Sequence, residues 1–133
     1  MIVKSIGHIG IAANNCKEVA GFFEENFGAK VISQTNEESQ KLISTMVKLG
    51  DGCLEIMEST SPDGVVAKYI EKKGEGFHHF SLSVCNIESL LKSLQGKGIR
   101  IVGKDLSDPK AKFAFINPKD AHGILIELVE YCG

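Results

Sequence analysis

HIGIAANNCKEVAGFFEENFGAKVI (residues 8–32) and HFSLSVCNIESLLKSLQGKGIRIV (residues 79–102) are two versions of one pattern. Aligned on His8 and His79, they place Asn15 on Asn86, Val19 on Leu90, Ala20 on Leu91 and Phe23 on Leu94. A one-residue gap then brings Gly28 onto Gly98. Each copy opens with alternating residues, the period of a half-buried strand. Each then shifts to apolar residues three and four apart, the period of an amphipathic helix. In the first copy Asn15, with Glu18 three residues on, predicts a helix cap, and Gly28 predicts its stop. Asn86 is read as the matching cap of the second helix. At the far end, LEIME (54–58) lies on IELVE (126–130), so Glu55 falls on Glu127. Between these ends come strands near Lys30–Gln34, Lys41–Leu49 and Cys53–Glu58, with LGDG (49–52) as a hairpin turn. SPDG (61–64) leads into a short helix, Val65–Lys73. The fold class is therefore α+β, in two βαβββ modules at about 1–60 and 77–133. A connector helix lies in about 61–76.

Composition limits the functions open to this frame. The chain has 133 residues, 43% apolar and 24% charged, enough for one domain with a real core. Its net charge of −2 implies neither a nucleic acid nor an anionic membrane as partner. No apolar run approaches the roughly 20 residues of a membrane helix, and MIVKSIGHIGIAANNC does not read as a signal peptide. Cys16, Cys53, Cys85 and Cys132 are scattered without a CxxC, as expected for reduced thiols in the cytoplasm. Of the 15 basic residues, Arg100 alone is arginine. Bidentate capture of carboxylate or phosphate normally falls to arginine. An anionic substrate is thus left to lysines, backbone N–H groups or a metal.

Strand alternation places His8, Gly10 and Ala12 on one face of the first strand, and His79, Ser81 and Ser83 on one face of its counterpart. These faces are small and polar, while Ile9 and Ile11, or Phe80, Leu82 and Val84, can pack under helices. Glu55 in CLEIM and Glu127 in ILIELV are carboxylates set in apolar strands, costly unless paired or bound to metal. A lone histidine or glutamate in a strand is ordinarily structural. Four at matched positions of a repeat point instead to one divalent cation held by His8, Glu55, His79 and Glu127. This nitrogen and oxygen donor set suits Co, Ni, Mn, Fe or Zn without choosing among them. His78 faces the other way, and His122 in KDAHG reads as surface. No thiol-rich zinc motif, phosphate loop or GxSxG elbow is present.

HIGIA (8–12), FFEENFGAKV (22–31), VVAKYIEKKGEGFHHFSLSV (65–84) and FAFINPKDAHGILIEL (113–128) resemble the vicinal oxygen chelate superfamily, and within it the methylmalonyl-CoA epimerases. These segments span nearly the whole chain, and GEGFHH with NPKDAHGILIEL is the more specific pair. The resemblance implies an open, curved, eight-stranded mixed sheet. Helices Cys16–Asn26 and Ile87–Gln95 would lie outside and the metal in the concave face. It implies the same four ligands, a small-molecule thioester substrate and a homodimer. The implied chemistry is a 1,1-proton transfer through a metal-stabilised enolate, at a carbon between thioester and carboxylate. Inversion is best served by a base on each side, and Glu55 and Glu127 are the expected catalytic pair.

The chain departs from the epimerase pattern at two places. The glycine-rich segment whose N–H groups help hold the substrate acid is replaced by DLSDPKAKFAF (105–115), where Lys110 or Lys112 would act as point charges. Ser44 stands where some epimerases carry a further carboxylate, and is read with the two lysines as a substrate contact. The alternative is a glyoxalase I-like lactoylglutathione lyase acting on a hemithioacetal with the same ligand set. It lacks support at Ala12 and Ser59, near where the glutathione enzymes carry arginine and asparagine. A drug-sequestering module would not be expected to keep the quartet, and an extradiol-type dioxygenase would not use Glu55 as a fourth ligand.

Overall fold

The computed structural model describes residues 2–131, so Cys132 lies outside the described residues. The element order is β1 (Val3–Ala13), α1 (Cys16–Phe27), β2 (Lys30–Glu37), β3 (Leu42–Leu49), β4 (Gly52–Ser59), α2 (Val65–Lys73), β5 (Gly76–Val84), α3 (Ile87–Gly96), β6 (Ile101–Asp105), β7 (Ala111–Ile116) and β8 (Ile126–Tyr131). β2 runs three residues past its expected end, because its ladder with β3 continues to Glu37 opposite Leu42. Cys16, Cys53 and Cys85 are free thiols. Among the described residues no helix is long and apolar enough to cross a membrane.

The chain divides into two compact units, residues 8–78 and the residues up to Gly7 together with those from His79 on. In the first unit β1 runs parallel to β4, and β3 is antiparallel to both β4 and β2. Ile9, Ile11, Ala13, Val47, Leu54 and Ile56 meet Cys16, Val19, Ala20 and Phe23 of α1 in one core. On the opposite face Ala12, Leu42 and Met57 are covered by Val66, Tyr69 and Ile70 of α2. In the second unit β5 runs parallel to β8, and β8, β7 and β6 are antiparallel neighbours. Val84, Ala114, Ile116 and Leu128 pack against Ile87 and Leu91 of α3.

The units are interleaved along the chain, not consecutive. Val3 packs into the core beneath α3, and the Cys85 N–H bonds to the Ile2 carbonyl at 2.9 Å. β1 and β5 each run through both units, and the eight strands form one mixed sheet in the order β2-β3-β4-β1-β5-β8-β7-β6. Parallel pairing of β1 with β4 and of β5 with β8 needs a crossover, which the helix and two strands of each module provide.

Helix ends show where local chemistry differs between the copies. Asn15 caps α1 as expected, its side-chain oxygen accepting from the Glu18 N–H at 3.0 Å. Gly28 ends the helix in the left-handed conformation, φ 70°, where a residue without Cβ is unstrained. Asn86 is different: it is itself left-handed, φ 51°, and makes no side-chain cap. Glu130 takes over that duty and accepts from the Ile87 N–H at 2.5 Å. Glu58 does the same for Cys16 at 2.8 Å.

Arg100 is consumed by the fold. Its Nε and Nη2 donate to the two oxygens of Asp120 at 2.9 and 3.0 Å, and its backbone N–H adds a third bond at 2.9 Å. The guanidinium holds the Asp120 carboxyl down at about 2. This clamp fixes the 3-10 turn Pro118–Asp120 to the start of β6.

Candidate metal centre

Each unit presents one histidine beside one glutamate, built by the same register. On β1, Gly10 lies opposite Glu55 of β4, so His8, two residues earlier, shares its face. On β5, Ser81 lies opposite Glu127 of β8, which sets His79 in the same relation. His8 and His79 are both buried. His8 Nε2 is 3.4 Å from Glu55 Oε1, and His79 Nε2 is 3.6 Å from Glu127 Oε1.

Those two distances test whether the residues suit a metal. Both exceed the roughly 2.7–3.2 Å of a sound N–H···O bond. Two donors each about 2.0–2.2 Å from one cation, at about 90–110°, lie roughly 2.8–3.6 Å apart. The His–Glu separations in both units fall within that span, and the donor types are those of a divalent transition ion. The residues fit a cation better than they fit a hydrogen-bonded pair.

The surroundings of the two pairs are unlike. Beside Glu55, the Ser44 hydroxyl donates to Oε2 at 2.7 Å, and Ser44 is buried. Beside Glu127 the cross-strand neighbour is Phe115, whose ring stands edge-on to His79 at 5.7 Å. Phe113 lies next to it at 6.0 Å.

The remaining expected residues take other places. Ser44 faces Glu55 and donates to its carboxylate. Lys112 sits in register with Glu130, one residue off the Phe113 and Phe115 face, and its ammonium bonds Glu88 of α3 at 2.7 Å. Lys110 is exposed in the turn before β7, its N–H bonded to Asp108. His78 stacks edge-on against Tyr69 at 4.6 Å, and His122 is exposed in a left-handed turn, φ 57°. Sequence reasoning missed the capping glutamates, although Glu58 and Glu130 carried the same repeat offset as Glu55 and Glu127. It also missed Phe113 and Phe115, which an alternation count along FAFI places beside the glutamate's face.

The model of the Glyoxalase/Bleomycin resistance protein/Dioxygenase superfamily matches residues 5–128; the chain belongs to this superfamily. An uncharacterised Bacillus subtilis protein, YqjC, is 31% identical over 128 residues, which cover 94% of this chain and 91% of that one. Human mitochondrial methylmalonyl-CoA epimerase is 27% identical over 126 residues, 92% of this chain and 72% of the relative. A variant of Streptomyces coelicolor methylmalonyl-CoA epimerase, solved with 2-nitronate-propionyl-CoA, superposes with a TM-score of 0.90 at 28% identity. That match covers 98% of this chain and 99% of the other.

Proposed function

We propose that His8, Glu55, His79 and Glu127 together hold one divalent cation, and that the chain is an epimerase of the methylmalonyl-CoA type. What carries the metal reading is the recurrence of one His–Glu pair, at one strand register and at ligand spacing, in both modules. Kinship with methylmalonyl-CoA epimerases supports the substrate class, a small CoA thioester with an acidic α-carbon. The same reading takes the chain as a cytoplasmic homodimer.

When bound, the cation would act as a Lewis acid on the thioester oxygen and acidify the adjoining C–H. The protein then has to move one proton. Inversion takes a proton off one face and delivers another to the opposite face, which a carboxylate on each side serves best. Glu55 and Glu127 fill these roles. The buried histidines supply the two nitrogen donors.

The test is deuterium uptake. The purified chain, loaded with Co2+, is incubated in D2O with a panel of acyl-CoA thioesters and with the hemithioacetal of methylglyoxal and glutathione. Exchange at the acidic carbon of methylmalonyl-CoA is expected, and Glu127→Gln should lower it at least ~10²-fold while still binding Co2+. Undiminished exchange in both Glu127→Gln and Glu55→Gln defeats the two-base assignment. Turnover of the hemithioacetal without exchange on any acyl-CoA makes the chain a glyoxalase I-like lyase.

A further inference from the structure

We propose that Ser44 is a positioning residue that fixes Glu55 as a one-oxygen metal ligand, and that it does not contact substrate. The proposal deepens the metal assignment and rests on it. Ser44 lies on β3 opposite Met57, and Met46 lies opposite Glu55. Ser44 and Glu55 are thus diagonal neighbours on one face, within reach of each other's side chains. The hydroxyl donates to Oε2 at 2.7 Å, while Oε1 is the oxygen turned toward His8, 3.4 Å from Nε2. The two oxygens are thereby made unequal, one engaged by the strand and one presented beside the histidine.

Three features separate this contact from an incidental pairing of buried polar groups. First, Ser44 is buried, so its hydroxyl is held by the carboxylate and not by bulk water. Second, the equivalent position in the second module is Phe113, since Val129 stands to Phe113 as Met57 stands to Ser44. That module therefore has no hydroxyl at this place, and the device serves Glu55 in particular. Third, the hydroxyl holds Oε2 back on the β3 side and blocks the swing that would bring both oxygens to one ion. Hydrogen bonds to the ligands of a metal are worth about 10–100-fold in affinity.

The experiment uses the full-length protein with Co2+ as probe, in competition with a chromophoric chelator, and the visible d–d spectrum as a second readout. Ser44→Ala is expected to bind Co2+ about tenfold more weakly. Its weaker, blue-shifted bands would report a carboxylate gone from one-oxygen to two-oxygen coordination. Ser44→Thr keeps the hydroxyl and should return both affinity and spectrum toward those of the parent, which a general loss of packing would not allow. If Ser44→Ala keeps the parent's affinity and spectrum while Glu55→Ala loses affinity, the positioning role is overturned and the ligand set stands. If Glu55→Ala also binds Co2+ as the parent does, the ligand set itself is wrong and the role of Ser44 falls with it.

Discussion

Removing the carboxylate that caps α3 should cost more stability than removing the one that caps α1, although the two occupy equivalent places. Glu58 and Glu130 each accept from the first helical N–H, of Cys16 at 2.8 Å and Ile87 at 2.5 Å. A carboxylate there also meets the positive end of the helix dipole, worth about 0.3–1 kcal/mol. Loss of a cap costs about 0.5–2 kcal/mol. At α1, Asn15 still satisfies the Glu18 N–H, so Glu58→Ala is expected to cost about 1 kcal/mol. At α3, Asn86 supplies no side-chain cap, and Glu130→Ala should cost about 2 kcal/mol. Glu130→Gln keeps an acceptor and gives up mainly the charge, about 0.5–1 kcal/mol. Urea denaturation of the four proteins at pH 7, followed by far-UV circular dichroism, gives the differences. Amide exchange at Ile87 should quicken in the Glu130 variants before the rest of α3 responds. A Glu58→Ala loss equal to or larger than that of Glu130→Ala would refute the assignment of Glu130 as the substitute cap.

Other consequences are open to measurement. Chelator treatment should abolish exchange at the acidic carbon, and a divalent ion should restore it; exchange that survives a metal content near zero contradicts the Lewis-acid reading. His79→Ala, which removes a buried donor, should weaken Co2+ binding by at least about tenfold, read by calorimetry. The Arg100–Asp120 clamp has a defined pH window. Asp120 is lowered from 3.8 to about 2 by its bonds to Arg100, so its stabilisation is fully present above 3.8 and is lost as pH falls through about 2. Arg100→Leu should therefore be less stable than the parent at pH 6, and the two should converge near pH 2. A stability gap unchanged at pH 2 would place the effect of Arg100 elsewhere.

The architecture was legible because its signals are local and occur twice. Gly28 stops α1, Val65–Lys73 forms a helix, and the histidine and glutamate strands alternate as read. The matched strand places of His8 with His79 and of Glu55 with Glu127 were also legible, through the repeat, since equal offsets imply equal places in equivalent modules. What escaped were pairings set by tertiary contact. Asn86 looks like Asn15 in sequence, yet its backbone turns left-handed and Glu130, 43 residues beyond Ile87, does the capping. Lys112 reads as a free charge near the site, but a one-residue step along β7 puts it on the face of α3, where Glu88 claims it. A strand's two faces differ by one residue, so a charge can be placed near a site by sequence and still face away from it.

The repeat also separates the duties of residues by whether both copies keep them. His8 and His79, Glu55 and Glu127, and Glu58 and Glu130 are the same in both modules, and each serves a task that both must perform: presenting a donor pair or starting a helix. The positions around the donor pairs have diverged. Ser44 answers to Phe113, Met46 to Phe115, and Ala12 to Ser83. In the first unit Ala12 and Met57 lie closed beneath α2. In the second, Phe113 and Phe115 remain half-buried beside His79. The proposed substrate, with a carboxylate at one end and a thioester at the other, has no two-fold symmetry. A frame of like donor pairs can orient it only if the residues flanking those pairs differ. Divergence at 44/113 and 46/115 is thus what substrate discrimination requires of a duplicated fold, and exchanging these residues should alter substrate choice before it alters metal affinity.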